Sequence, residues 1–237
     1  MLAPVKTPAL QVDDLHFVLR RSTRRKTMQI TVERDGKLVL SAPPQVDEAA
    51  LRAFVLENRF WIYTKLAEKD RLQRRVPRKE FVGGEGFVYL GRSHRLKLVA
   101  EQDVPLKLAA GRFCLRRDAL PLAREHFIRW YSDRARVWLS SRVAEYQSRM
   151  EVSPAGVKVR DLGYRWGSCG KGDWLYFHWK TILLPARIAE YVVVHEIAHL
   201  HEPHHTPSFW LCVERAMPDY AQRKVWLAEH GIDVEGI

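Results

Sequence analysis

The chain of 237 residues carries 39 Lys and Arg against 28 Asp and Glu, a formal net charge of +11, with 46% hydrophobic and 28% charged residues. This is globular composition: it excludes a disordered or fibrous chain, and the length can bury a sizeable core as one large domain or two small ones. No apolar run approaches the ~20 residues of a membrane helix, and Cys114, Cys169 and Cys212 are odd in number and far apart, so no disulfide framework is expected. The opening MLAPVKTPALQVDD lacks the apolar stretch of a signal peptide, and a cytoplasmic location is expected. The charge is uneven: residues 1–150 hold 30 basic and 17 acidic side chains, the remaining 87 hold 9 and 11. Such a positive field is either an ordinary solvated face or a means of capturing an anionic partner.

In chain order, FVLRRSTRRK from Phe17 reads as a basic strand. TMQITVE and KLVLSAP alternate apolar and polar residues around Asp35-Gly36, predicting a hairpin that ends at Pro43-Pro44. Asp47 is placed to cap a helix whose buried stripe would be Leu51, Phe54, Val55, Asn58, Trp61, Ile62 and Leu66. RLQRRVPRK, residues 71–79, is expected as an exposed connection. Gly83-Gly84-Glu85-Gly86 lacks the Lys and Ser/Thr of a phosphate-binding loop and reads as a turn. FVYLGRSHRLKLV is a second strand pair. A long amphipathic helix from about Leu122 to Arg149 follows, with Phe127, Tyr131, Ala135 and Trp138 at helical spacing. No internal repeat is apparent.

The remainder differs in texture. VKVRDLGYRWGSCGKGDWLYFHWKTILLP reads as a strand, a glycine-rich loop and an apolar strand around Trp174–Trp179. Pro185 can open the helix ARIAEYVVVHEIAHLH, which must stop before Pro203. Thr206-Pro207 resembles a cap and first-turn proline for PSFWLCVERA, and a last helix, YAQRKVWLAEHG, closes at Gly231. The expectation is an α+β chain: a basic strand-and-helix module over 1–118, then a second domain over 119–237 that carries the motif below.

The chemistry lies in HEIAH, residues 195–199. Four residues apart on a helix, His195 and His199 project from one face and can share a metal ion. Glu196 sits beside them, able to reach water at the metal without being a ligand. This is the arrangement of a zinc hydrolase, in which the metal acidifies water and polarises a carbonyl while the glutamate takes the proton. The apolar run Tyr191-Val192-Val193-Val194 makes the helix a buried one, where unpaired polar groups are costly. A catalytic zinc needs a third protein ligand. His201 would point away; His204 and His205 can both reach, Glu202 and Glu214 are the carboxylate options with Glu214 behind the two histidines, and geometry leaves these open. Cys169 and Ser168 have no assignable base and read as packed side chains. Tyr164 or Arg165 can stabilise an oxyanion.

The run from Arg165 to Trp210 resembles the YgjP-like metallopeptidase family, relatives of the SprT-like and WLM zincins. The likeness is carried by Arg165-Trp166-Gly167-Ser168-Cys169, by Val192 to His199, and by His205, Phe209 and Trp210. RRSTRRKTMQITV and the closing Pro218-Asp219-Tyr220, Arg223 and Trp226 extend it over nearly the whole chain. The resemblance implies a zincin-like α+β fold with one Zn2+ per chain, His195, His199 and His205 as ligands, and Glu196 as general base. It favours His205 because His204 stands where the family usually has Asn, as does His178. It also implies that the Trp174–His178 strand lies along the cleft, where an edge strand can pair with an extended peptide.

The first reading is therefore a zinc-dependent metallopeptidase acting on a peptide or protein. A second places a nucleotide or other phosphoanhydride in the same site, and a third is a nucleic-acid adaptor with structural zinc, against which Glu196 argues. A nucleic-acid contact is expected through the basic half, from Arg20, Arg21, Arg24, Arg25 and Lys26 together with Arg71, Arg74, Arg75, Arg78 and Lys79.

Overall fold

Hairpins on two-residue turns supply most of the β-structure in the computed structural model, which describes residues 9–33, 36–72, 78–163, 165–234 and 237. Among the described residues there are eleven strands in three sheets and six α-helices, a mixed α+β chain. By compactness the chain divides into one unit over residues 1–75 and another over 76–237.

In the first unit, β1 (Ala9–Val12), β2 (Leu15–Arg21), β3 (Gln29–Val32) and β4 (Leu38–Ala42) form a sheet in the order β1-β2-β4-β3, with β2 and β4 parallel. The predicted hairpin is present as β3 and β4, with Gly36 at φ 83°; Asp35 lies outside the described residues. The Asp47 carboxylate accepts from the Ala50 amide at 2.7 Å and caps α1 (Glu48–Glu57) as the sequence predicts. The expected single helix is two. Asn58 turns its side-chain amide back onto the Phe54 carbonyl, and α2 (Arg59–Leu72) restarts after it. Ile62 is buried on the same stripe as Leu51 and Val55, while Trp61, one position off it, is 43% exposed.

The basic strand is also partly committed. The Arg21 guanidinium donates to the carbonyls of Pro43, Pro44 and Val46, stitching β2 to the chain after β4, and Arg20 pairs with Glu33. The backbone of Arg71 belongs to α2 rather than to a connection, while Arg74 and Arg75 lie outside the described residues.

The second unit opens with the same strand order. β5 (Gly86–Tyr89), β6 (Arg92–Val99), β7 (Leu106–Ala109) and β8 (Arg112–Arg116) align as β5-β6-β8-β7, again with the middle pair parallel. The Gly83–Gly86 stretch is the expected turn, held by the Gly84 amide on the Leu96 carbonyl. Phe87 and Phe113 point from this sheet onto α3 (Ala123–Arg149), where Phe127, Tyr131, Ala135 and Leu139 are fully buried at four-residue spacing. The Phe87 and Phe127 rings stack at 4.1 Å. β5–β8 bury their apolar face in one core with α3 and belong to the compact unit over residues 76–237.

α3 packs on the third sheet, β9 (Gly156–Arg160), β10 (Gly167–Cys169) and β11 (Trp174–His178), and on α4 (Ala186–Ala198), which has Val192, Val193, Val194 and Ile197 buried. The sheet order is β10-β11-β9. The expected edge strand Trp174–His178 is thus the central one, antiparallel to β10 and parallel to β9. The Thr206 hydroxyl accepts from the Phe209 amide and starts α5 (Pro207–Ala216); α6 (Tyr220–His230) ends at Gly231. No helix among the described residues is long and apolar enough to cross a membrane.

Candidate metal centre

α4 ends where its ligand-type side chains begin. His195 is one turn from its end and His199 is its C-cap; the chain then reverses through residues 200–205, and the α5 cap fixes the return. The result brings three imidazoles together: His195, His199 and His205 each offer a nitrogen, and these atoms lie within 4.8 Å of one another. The two Nε2 atoms of His195 and His205 are 3.0 Å apart. His199 Nδ1 donates to the Glu202 carbonyl at 3.1 Å; because a carbonyl only accepts, this bond leaves Nε2 with its lone pair free. His204 is exposed, its amide on the Glu202 carboxylate, and it stands outside the cluster with Glu214. His201 turns to the Met150 carbonyl, as its helix position predicts.

Phe209, fully buried, lies against all three rings at centroid distances of 5.0, 4.6 and 4.7 Å for His195, His199 and His205. Trp210 stacks on His205 at 5.6 Å and on Tyr220 at 5.6 Å. Burial, with the other imidazoles adding, pushes His195 down to about 3; burial also lowers His199 and His205. Three imidazole nitrogens converging on one point, two of them 3.0 Å apart, form a donor set that one cation can bridge. That donor set fits zinc, which takes neutral imidazole nitrogens.

Glu196 faces the other way from the solvent, 6% exposed, against the glycine-rich segment. A Cβ at Gly167 would meet its Cγ and Oε1 at 2.6 Å, so only glycine leaves room for the carboxylate. Burial raises this carboxyl to about 8, opposed by the donating Cys169 amide and by the Arg165 charge. Cys169 itself is raised by burial and by Glu196, the opposite of what a nucleophile requires. Ser168 accepts from the Arg165 guanidinium at 3.2 Å. Tyr164 lies outside the described residues.

These groups line a cleft of about 770 Å3, whose one wall is residues 165–173, with His195, Glu196, His199 and His205 opposite. β10, an edge strand of its sheet, belongs to that wall. His178 holds the wall from behind. Its Nδ1 accepts from the Lys180 amide, its Nε2 faces Asp161 Oδ1 at 3.3 Å, and its own amide donates to the Trp166 carbonyl. Sequence reasoning missed Gly167, Phe209 as the floor, and His178 as a support. The glycine within Trp-Gly-Ser-Cys was the available signal for close approach.

No curated protein matches the chain. Among solved structures, the metallopeptidase zymogen abylysin of Pyrococcus abyssi is similar at 20% identity, over 37% of this chain and 91% of that one, with a TM-score of 0.34. The profile of the family described as YgjP-like, metallopeptidase domain matches residues 26–230, which include both sides of the cleft. The chain belongs to the YgjP-like metallopeptidase domain family.

Proposed function

We propose that the chain is a zinc-dependent metallopeptidase with a zincin-type site, holding one Zn2+ on His195, His199 and His205 and using Glu196 as general base. The observation that carries this reading is the convergence of three neutral imidazoles beside one buried carboxylate at the floor of a cleft. When bound, zinc supplies Lewis acidity, polarising the scissile carbonyl and lowering the pKa of water in its open position. Glu196, buried beside the three imidazoles, takes the proton from the attacking water and passes it to the leaving amine. Arg165, exposed on the facing wall, would steady negative charge on the carbonyl oxygen.

The substrate would lie extended along β10. With β11 flanked on both sides, β10 is the strand of that wall whose outer edge can pair with a peptide main chain. The cysteines are unpaired, which suits a reducing cytoplasm. Casein-derived peptides and, in parallel, nucleoside triphosphates are incubated with wild type and Glu196→Gln, with and without chelator. Peptide turnover that chelator abolishes and Glu196→Gln lowers by at least ~10²-fold, with zinc retained, is the expected result. Turnover of triphosphates and not of peptides would replace the peptidase reading with the phosphoanhydride one. Full activity in Glu196→Gln would overturn the role of the carboxylate.

A further inference from the structure

A second concave surface lies in the same unit, on the solvent face of the β5–β8 sheet. Leu96 and Phe113 are paired neighbours on β6 and β8 and both are buried. Alternation therefore puts Arg95 and Lys97, and Arg112 on β8, on the opposite face. Together with Arg117 and the backbone of Gly83-Gly84 they border a cavity of about 510 Å3 with neither an acidic nor an aromatic side chain in its lining. Arg95 is held in place by donating to the Gly84 carbonyl at 2.8 Å. Two further cations near this face are neutralised locally, Lys107 by Asp103 and Arg116 by Asp118. Among the described residues, Lys97, Arg112 and Arg117 have no carboxylate partner.

Four like charges around one hollow repel each other in the folded chain, and a polyanion relieves that repulsion. On the N-terminal sheet the charges are more committed: Arg21 serves three carbonyls and Arg20 serves Glu33. We infer that the basic hollow on the β5–β8 sheet binds the phosphate backbone of duplex nucleic acid. Single-strand binding draws much of its energy from bases stacking on aromatic side chains, and the lining of this hollow has none; guanidinium and ammonium groups alone read phosphates without regard to sequence. The inference stands apart from the metal site and does not depend on the peptidase reading.

The test is fluorescence anisotropy of the full chain with a labelled DNA duplex of about 20 base pairs, at 50 and 200 mM salt. Wild type is expected to bind at the lower salt and to weaken by tenfold or more at the higher, since each phosphate contact adds about 0.9 to the salt slope. Lys97→Gln/Arg112→Gln should cost about tenfold or more at 50 mM and flatten the slope by about two. Arg24→Gln/Lys26→Gln, in the loop between β2 and β3 where the sequence alone predicts the contact, should leave binding within about twofold, and a loss larger than that of Lys97→Gln/Arg112→Gln would overturn the inference. Both variants should keep the wild-type circular dichroism spectrum. No binding by wild type at 50 mM salt, unchanged binding by Lys97→Gln/Arg112→Gln in a folded protein, or tighter binding to a single strand than to the duplex would each overturn the inference.

Discussion

Gly167→Ala is the smallest change that should reach the chemistry without touching a metal ligand. The new methyl would sit 2.6 Å from Glu196 Cγ and Oε1 and 2.7 Å from Cδ, against an ordinary contact of 3.4–4 Å. The carboxylate must therefore retreat by about 1 Å, a displacement that typically costs about 10²-fold in rate. Because Glu196 is buried, the crowding also costs about 1–3 kcal/mol of stability. Gly167 lies in β10 with φ outside the left-handed region, so alanine brings no backbone strain and the whole effect is contact. Peptide turnover, zinc content and Tm are measured on Gly167→Ala, Glu196→Asp and the double variant. The single glycine variant should lose about two orders of magnitude of kcat/KM with its zinc retained. The shorter Asp gives the methyl room, so the double variant should lose less than the two single losses combined. Wild-type turnover in Gly167→Ala, or strictly additive losses in the double variant, would refute the placement of Glu196 against Gly167.

Three further outcomes are expected. Phe209→Ala removes the ring beneath all three imidazoles and should cost about 3–5 kcal/mol; competition with a chromophoric chelator should also show weaker zinc binding by the folded protein, and an unchanged affinity would reduce Phe209 to a core residue. Thr206→Ala removes the α5 cap and should lower stability by about 1 kcal/mol, read from denaturant unfolding. The Cys169 thiol is raised by burial and by Glu196, so its thiolate fraction at pH 8 lies below that of a free cysteine and grows only as pH climbs. Iodoacetamide should accordingly label Cys169 more slowly than a cysteine peptide at pH 8, and faster labelling would contradict that environment.

Local chemistry made much of the molecule legible. The His195/His199 spacing, the Asp47 and Thr206 caps and the period of α3 each follow from interactions within a few residues, and the structure repeats them. What escaped depends on long-range pairing or on unmarked turns. The β7–β8 hairpin was unread because its turn is Ala110-Gly111, with alanine at φ 48° in place of the usual Asn or Asp. The repeated strand order of the two four-stranded sheets is a repeat of topology without a repeat of sequence. β11 became central because β9 joins it in parallel from 18 residues earlier, and no alternation pattern encodes that partner. Glu196 and Gly167 meet across 29 positions, so the glycine's purpose shows only in three dimensions.

The zinc ion proposed on His195, His199 and His205 is tested most directly by elemental analysis of purified wild type, His204→Ala and His205→Ala. About one zinc per chain in wild type and in His204→Ala, with most of it lost from a folded His205→Ala, is the predicted result. Zinc retained in full by His205→Ala, or lost instead from His204→Ala, would contradict it.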